Sequence, residues 1–386
     1  MELTDTSERT IINVVDQYDY STQNDAYNEK FKSWRKDKQN PYAFNFKQNR
    51  KESVFVDGKG FENRSAVAAE QDCIGKIMNI AGIAMLIWIV IDNIIGKIIV
   101  GIFDFLGFDI HTSFFSTGFY GGSREIIATL ILISFVKVLL PLLYLHKKLK
   151  MPRQLEHMST LNHASDLIGA ICMTMSIGAV TSLPNIYTNR TWQLFNYFRS
   201  ISADVSVWNQ EQFVFYIIFD IIIVSILTEL LFRGAIFGAL RQFGDKYAII
   251  VTSAMAGILV QDFREFPAAV LISAVASVSM LRSGTIFTAI FVQVVFKMYR
   301  LALVLLEENS QDSAFLKRNT FILVVFVVGT AGAILLYILK DGLRTRLAQY
   351  KSDISFKDRI KITCKSFPVP AIICLCLLSA IIKLIF

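Results

Sequence analysis

The residues of this chain that could do chemistry are polar side chains set into long apolar runs. Between Phe213 and Leu240 stand Asp220, Glu229 and Arg233, and between Thr285 and Leu306 stand Gln293, Lys297 and Arg300. Ionisable groups at bilayer depth cost several kcal/mol and are kept where they are paired or functional. The other apolar runs read as mostly uncharged. A carboxylate such as Glu229 could take a proton as a general base, and amide or ammonium donors could hold a developing oxyanion. Glu229 and Arg233 lie one helical turn apart, so they share a face and can pair along the helix. Thr228 beside them offers a hydroxyl and no base.

Depth brings these groups together. Glu229 lies twelve residues before Arg241, and Lys297 twelve after Thr285. At a rise of about 1.5 Å per residue, each is about 18 Å from its helix end. The same rise puts Gln293 about 12 Å deep and Gln261, fourteen residues after Tyr247, about 21 Å deep. Gln261, Gln293, Lys297 and Glu229 thus fall in one mid-membrane layer on three helices. Two opposite charges in that layer stabilise each other in low dielectric, so Lys297 is expected to pair with Glu229.

The elements that must position them are membrane helices. The chain has 386 residues, 53% hydrophobic and only 18% charged, with 31 Phe. Its mean hydropathy is +0.47. That composition excludes an ordinary soluble enzyme and fits an all-α, polytopic transmembrane helical bundle. Runs of about 20 apolar residues recur, each able to cross a hydrocarbon layer of about 30 Å. They are Ile77–Ile99, Ile126–Leu145, Leu167–Leu183, Phe213–Leu240, Tyr247–Val260, Phe266–Leu281, Thr285–Leu306, Thr320–Leu339 and Phe367–Phe386, about nine helices. Tyr247–Val260 is the shortest.

Basic residues follow alternate spans. Lys147, Lys148, Lys150 and Arg153 follow the second, Arg241 and Lys246 the fourth, and Arg282 the sixth. Lys340, Arg344, Arg346, Lys351, Lys357, Arg359, Lys361 and Lys365 follow the eighth. Because basic loops stay on the cytosolic side, a multi-pass protein of the plasma membrane is expected, its N-terminus cytosolic and its C-terminus outside. No apolar h-region opens the chain, so insertion is expected to rely on internal spans.

Residues 1–75 read as a polar cytosolic arm in which basic and aromatic residues alternate, among them Phe31, Lys32, Trp34, Arg35 and Tyr42. The arm is expected to be solvated or to dock on anionic lipid. No nucleic-acid motif accompanies the charge. Residues 76–160 hold the first two spans and a basic loop, 161–310 a transmembrane core, and 311–386 the C-terminal spans. The five cysteines, Cys73, Cys172, Cys364, Cys374 and Cys376, read as small apolar side chains without metal-ligand spacing. The histidines are His111, His146, His157 and His163, none of them in the polar layer. No metal and no cofactor is expected.

Within the core, Thr228-Glu229-Leu230-Leu231-Phe232-Arg233-Gly234, then Gly257 to Gln261, then Ser283-Gly284-Thr285 leading to Gln293 and Lys297, resembles the CPBP family. These are the CAAX-prenyl-protease and bacteriocin-processing (Abi) intramembrane proteases. The resemblance covers about Phe213 to Arg300. It implies a helical membrane core and peptide-bond hydrolysis inside the bilayer. The family pattern is Glu-Glu-x-x-x-Arg, Phe-x-x-x-His and His-x-x-x-Asn. Here Thr228 stands for the first Glu, to which the general-base role is usually assigned, while Glu229 and Arg233 match. Gly257 and Gln261 stand for Phe and His, and Gln293 and Lys297 for His and Asn. A hydroxyl, two amides and an ammonium do not supply a tunable base or zinc ligands.

The expected function is therefore that of a catalytically degenerate scaffold, regulator or immunity-type partner of membrane or cell-envelope proteins in a bacterium. Two alternatives stay open: an intramembrane endopeptidase using Glu229 as base, and a transporter, since mid-membrane charge suits both.

Overall fold

The computed structural model describes residues 29, 31, 33, 34, 37, 42, 51–56, 60–112, 119–150, 164–183, 210–263, 265–308, 314–339 and 354–385. Arg153, His157, His163, Lys340, Arg344, Arg346 and Lys351 lie outside them. A hairpin of β1 (Lys51–Val56) and β2 (Gly60–Ser65) leads into the first helix. Helix α1 runs Ala66–Val90, passes through a π-helical segment at Ile91–Ile95 and ends as Gly96–Phe105. A second hairpin, β3 (Ile110–Thr112) with β4 (Phe119–Gly121), precedes α2 (Ser123–Leu149) and α3 (Ala164–Ser182).

Helix α4 starts at Gln210–Ile218 and reaches Phe243 through two π segments, Phe219–Val224 and Leu230–Phe237. Gly244, at φ 118°, turns the chain into α5 (Asp245–Leu259). The rest is α6 (Phe266–Ser283), α7 (Ile286–Glu308), α8 (Ala314–Leu339), α9 (Phe356–Lys365) and α10 (Pro368–Ile385). The molecule is an all-α polytopic bundle with two small hairpins.

Among the described residues, seven helices are long and apolar enough to cross a membrane, or eight if the bent pair α9 and α10 is one span. The nine expected spans need two corrections. Helix α5 has 15 residues, about 22 Å, which is short of the hydrocarbon thickness. The first span is longer than its apolar run. It covers Val67–Phe105, 39 residues and about 58 Å, because polar Glu70, Gln71, Asp72 and Lys76 already belong to its helix. Large side chains such as Val327, Val328, Ile334 and Leu335 on α8 are exposed, as the lipid-facing side of a span requires.

The core holds α1, α2, α4, α5, α6 and α7 together. Close approaches occur at glycines. A Cβ on Gly82 would meet Pro368 at 2.5 Å, which lets α10 lie on α1. A Cβ on Gly257 would meet Val270 Cγ2 at 2.4 Å, which lets α5 lie on α6. Gly284, at φ 70°, ends α6 by donating its N–H to Met280 O.

Three aromatics of the arm do not stand in water. Phe31 and Trp34 are buried, and Phe31 lies under the Arg241 guanidinium at 5.3 Å. Tyr42 O accepts from Gln242 Nε2 at 2.9 Å. Burial of ring area against the end of α4 outweighs solvation for these residues. Arg241 and Arg282, read as loop charges, are likewise drawn in. Arg241 bonds Asp245 at 2.8 Å and Arg282 bonds Asp166 at 2.6 Å.

Candidate functional site

A cavity of about 370 Å³ sits among α1, α2, α4, α5, α6 and α7. Its walls are largely apolar and aromatic, with Trp88, Tyr216, Val224, Phe232, Ala256, Leu259, Ile272 and Phe296. Set into them are Thr228, Gln293, four cationic residues (Lys137, Arg233, Lys297, Arg300) and four carboxylates (Asp92, Asp220, Asp262, Glu265).

Local backbone irregularity places several of these charges. A π turn carries an extra residue per turn and rotates the side chains that follow it. The three π segments of the described residues contain Asp92, Asp220 and Arg233. Each of these three lines the cavity.

The cations are held on the walls. Lys137 Nζ lies 2.9 Å from Asp92 and 5.2 Å over the Trp88 ring. Both terminal nitrogens of Arg300 bond the Glu265 carboxylate, and the guanidinium lies over Phe296 at 5.3 Å. Arg233 Nη1 bonds Glu229 Oε1 at 3.1 Å, while Nη2 donates to Ser273 O at 2.6 Å and Ser273 Oγ at 2.8 Å. Opposite charges and ring faces compensate for lost hydration in a low-dielectric interior.

Lys297 does not take the partner expected of it. Its Nζ donates to Asp220 O at 2.7 Å and lies 3.2 Å from the Asp220 carboxylate. Equal depth by residue count did not decide the pairing: Asp220 stands nine residues, about 13 Å of helix rise, from Glu229, so α7 lies against α4 in a different axial register from the one counted. Glu229 is instead closed on Arg233, the local pair that the four-residue spacing allows. Glu229 is fully buried and does not line the cavity, although the Gln293 side chain lies beside its carboxylate. Its second oxygen, Oε2, has no hydrogen-bond partner.

Gln261 turns away from the cavity. It adopts φ 55°, a left-handed conformation that is costly for a residue with a side chain. Its Oε1 accepts from Asn93 Nδ2 on α1 at 3.0 Å, and it is not among the cavity-lining residues. Thr228, Arg233, Gln293 and Lys297 are therefore brought together, while Glu229 stays behind Arg233 and Gln261 turns to α1.

Asp92, Lys137 and Glu265 were missed from the sequence. The signal for the first two was present: each is an ionisable residue inside an apolar run, as Asp220 is. Among the described residues, no group of three or more His, Cys, Asp or Glu is arranged to hold a metal ion. Of the motif positions here, a hydroxyl, two amides and an ammonium do not fit one either.

Fold and cavity define a polytopic helical membrane protein with an ion-paired chamber inside its core. Residues 210–299, from the start of α4 to just past the middle of α7, match the family model of the type II CAAX prenyl endopeptidase Rce1-like proteins. That match coincides with the resemblance read over Phe213 to Arg300. No curated protein and no solved structure matches the chain.

Proposed function

We propose that this Rce1-like membrane protein binds a partner at its core without cutting it, acting as a scaffold, regulator or immunity-type protein for membrane or cell-envelope proteins. The observation that carries this reading is the placement of Glu229. The one motif carboxylate that survives is fully buried, clamped by Arg233 and absent from the cavity wall. At the neighbouring position, where the family pattern has its other Glu, the cavity is lined by Thr228, which carries no group able to act as a base. A base must reach the water it activates, and neither group meets that condition. Three lining carboxylates, Asp92, Asp220 and Glu265, are closed on cations. The amide and ammonium at the remaining lining motif positions, Gln293 and Lys297, suit binding by hydrogen bonds better than proton transfer.

The setting we propose is a bacterial plasma membrane, with the N-terminus cytosolic and the C-terminus outside. The alternation of basic loops supports that orientation when the short α5 is counted as a crossing.

Incubating the purified full-length protein with prenylated and unmodified membrane peptides, followed by mass spectrometry, tests the reading. No cleavage is expected. Cleavage that disappears in Glu229→Gln or in Asp262→Asn would make the protein an endopeptidase. Solute flux in proteoliposomes that requires Lys297 and Asp220 would make it a transporter.

A further inference from the structure

Helix α9 meets α10 at an angle of 72°, and its two faces differ sharply in what they touch. Its inner face is bolted to the bundle. Arg359 Nε donates to Glu70 Oε1 on α1 at 2.9 Å, and Arg359 Nη1 donates to Phe243 O at 2.8 Å. Thr363 Oγ1 lies 2.6 Å from Tyr247 OH on α5, and Ser366 Oγ donates to Asn79 Oδ1 at 2.7 Å. The N-cap is made by Ser355, whose hydroxyl accepts from the Asp358 N–H.

The outer face carries Lys357, Lys361 and Lys365, all exposed and each one turn from the next. Three such positions make a stripe about 12 Å long. At its start the Phe356 ring is 38% exposed, with Lys246 Nζ 5.5 Å from its centroid. At its end Phe367, in the corner before the apolar helix α10, is 85% exposed. A fixed basic stripe between two exposed rings, standing where an apolar span begins, has the composition of a helix lying in the headgroup layer. The rings favour the interface and the ammonium groups favour negative charge.

We propose that this face of α9, with Lys246, binds the anionic headgroups of the adjacent bilayer leaflet. The occupant follows from charge and position together. Cations spaced for repeated anions and an exposed aromatic side chain at the start of an apolar helix match a phospholipid surface rather than a soluble anion. Because the inner face is locked by four side-chain contacts, lipid binding here also braces the corner between α1, the end of α4, and α5.

Native mass spectrometry of the detergent-purified full chain, titrated with phosphatidylglycerol against phosphatidylcholine, tests this. Wild type is expected to retain phosphatidylglycerol preferentially. K357Q/K361Q/K365Q should lose about fivefold in that preference per lysine. K357R/K361R/K365R, which keeps the charge, should retain it. R124Q/K317Q is the control: Arg124 opens α2 and Lys317 lies in the first turn of α8, both at the opposite end of the bundle, and it should behave as wild type. Unchanged preference in the glutamine variant, equal loss in the control, or loss in the arginine variant would each overturn the proposal.

Discussion

Lys297 and Asp220 are joined twice, by a 2.7 Å hydrogen bond from the ammonium to the Asp220 carbonyl and by a 3.2 Å approach to its carboxylate. The pair ties α7 to the first π segment of α4 beside the cavity. Its side chains are 22% and 25% exposed, so it is partly screened and worth less than a dry pair. In a double-mutant cycle, Lys297→Met and Asp220→Asn should couple by about 1–2 kcal/mol in thermal unfolding. Lys297→Met and Glu229→Gln should couple more weakly than that pair, since Lys297 acts on the Glu229 carboxylate through its field and not through a contact. The reverse pattern would return Lys297 to Glu229.

Removing Arg233 leaves the Glu229 carboxylate buried without its counter-charge and leaves Ser273 O without its guanidinium donor. Arg233→Met should cost about 3–5 kcal/mol, which breaking a fully buried pair typically costs. Glu229→Gln/Arg233→Met should be milder than Arg233→Met alone, since the stranded charge is gone. Unfolding midpoints of the three variants in one detergent check the order.

Gly257 stands where the family pattern has Phe, and here no side chain fits. Gly257→Ala would press its Cβ to 2.4 Å from Val270 Cγ2. Overpacking of this kind costs about 1–3 kcal/mol. Val270→Ala, added to Gly257→Ala, should recover part of the loss. A Gly257→Ala variant as stable as wild type would show that α5 and α6 separate freely.

His111, on β3 and outside the spans, hydrogen-bonds the Asp104 carboxylate and lies close to Asp109. The Asp104 bond and charge lead the causes that raise its pKa above the ordinary value of 6.5. A raised folded-state pKa gives a contribution that is complete below the unfolded pKa and fades as pH rises through the folded one. Histidine resonances followed by NMR should show His111 titrating above 6.5. Asp104→Asn should bring it down, and no fall would remove the carboxylate as the cause.

Run lengths in the chain were enough to read a helical membrane bundle, because crossing a hydrocarbon layer demands about twenty apolar residues whatever their neighbours. Glu229 with Arg233 was legible for a similar reason, since a four-residue spacing on a helix is a local contact. Residue counting also gave depth along each helix, which put Lys297 and Glu229 at one level. Counting from the end of each apolar run does not fix how two helices slide and tilt against one another. Lys297 meets Asp220, nine residues and about 13 Å along α4 from Glu229, so its partner depended on the axial register of α7 against α4. The direction of Gln261 depended on a left-handed residue, and the convergence of Asp92, Asp220 and Arg233 on π turns that rotate later side chains. Those are choices made by packing among six helices, and no window along one helix contains them.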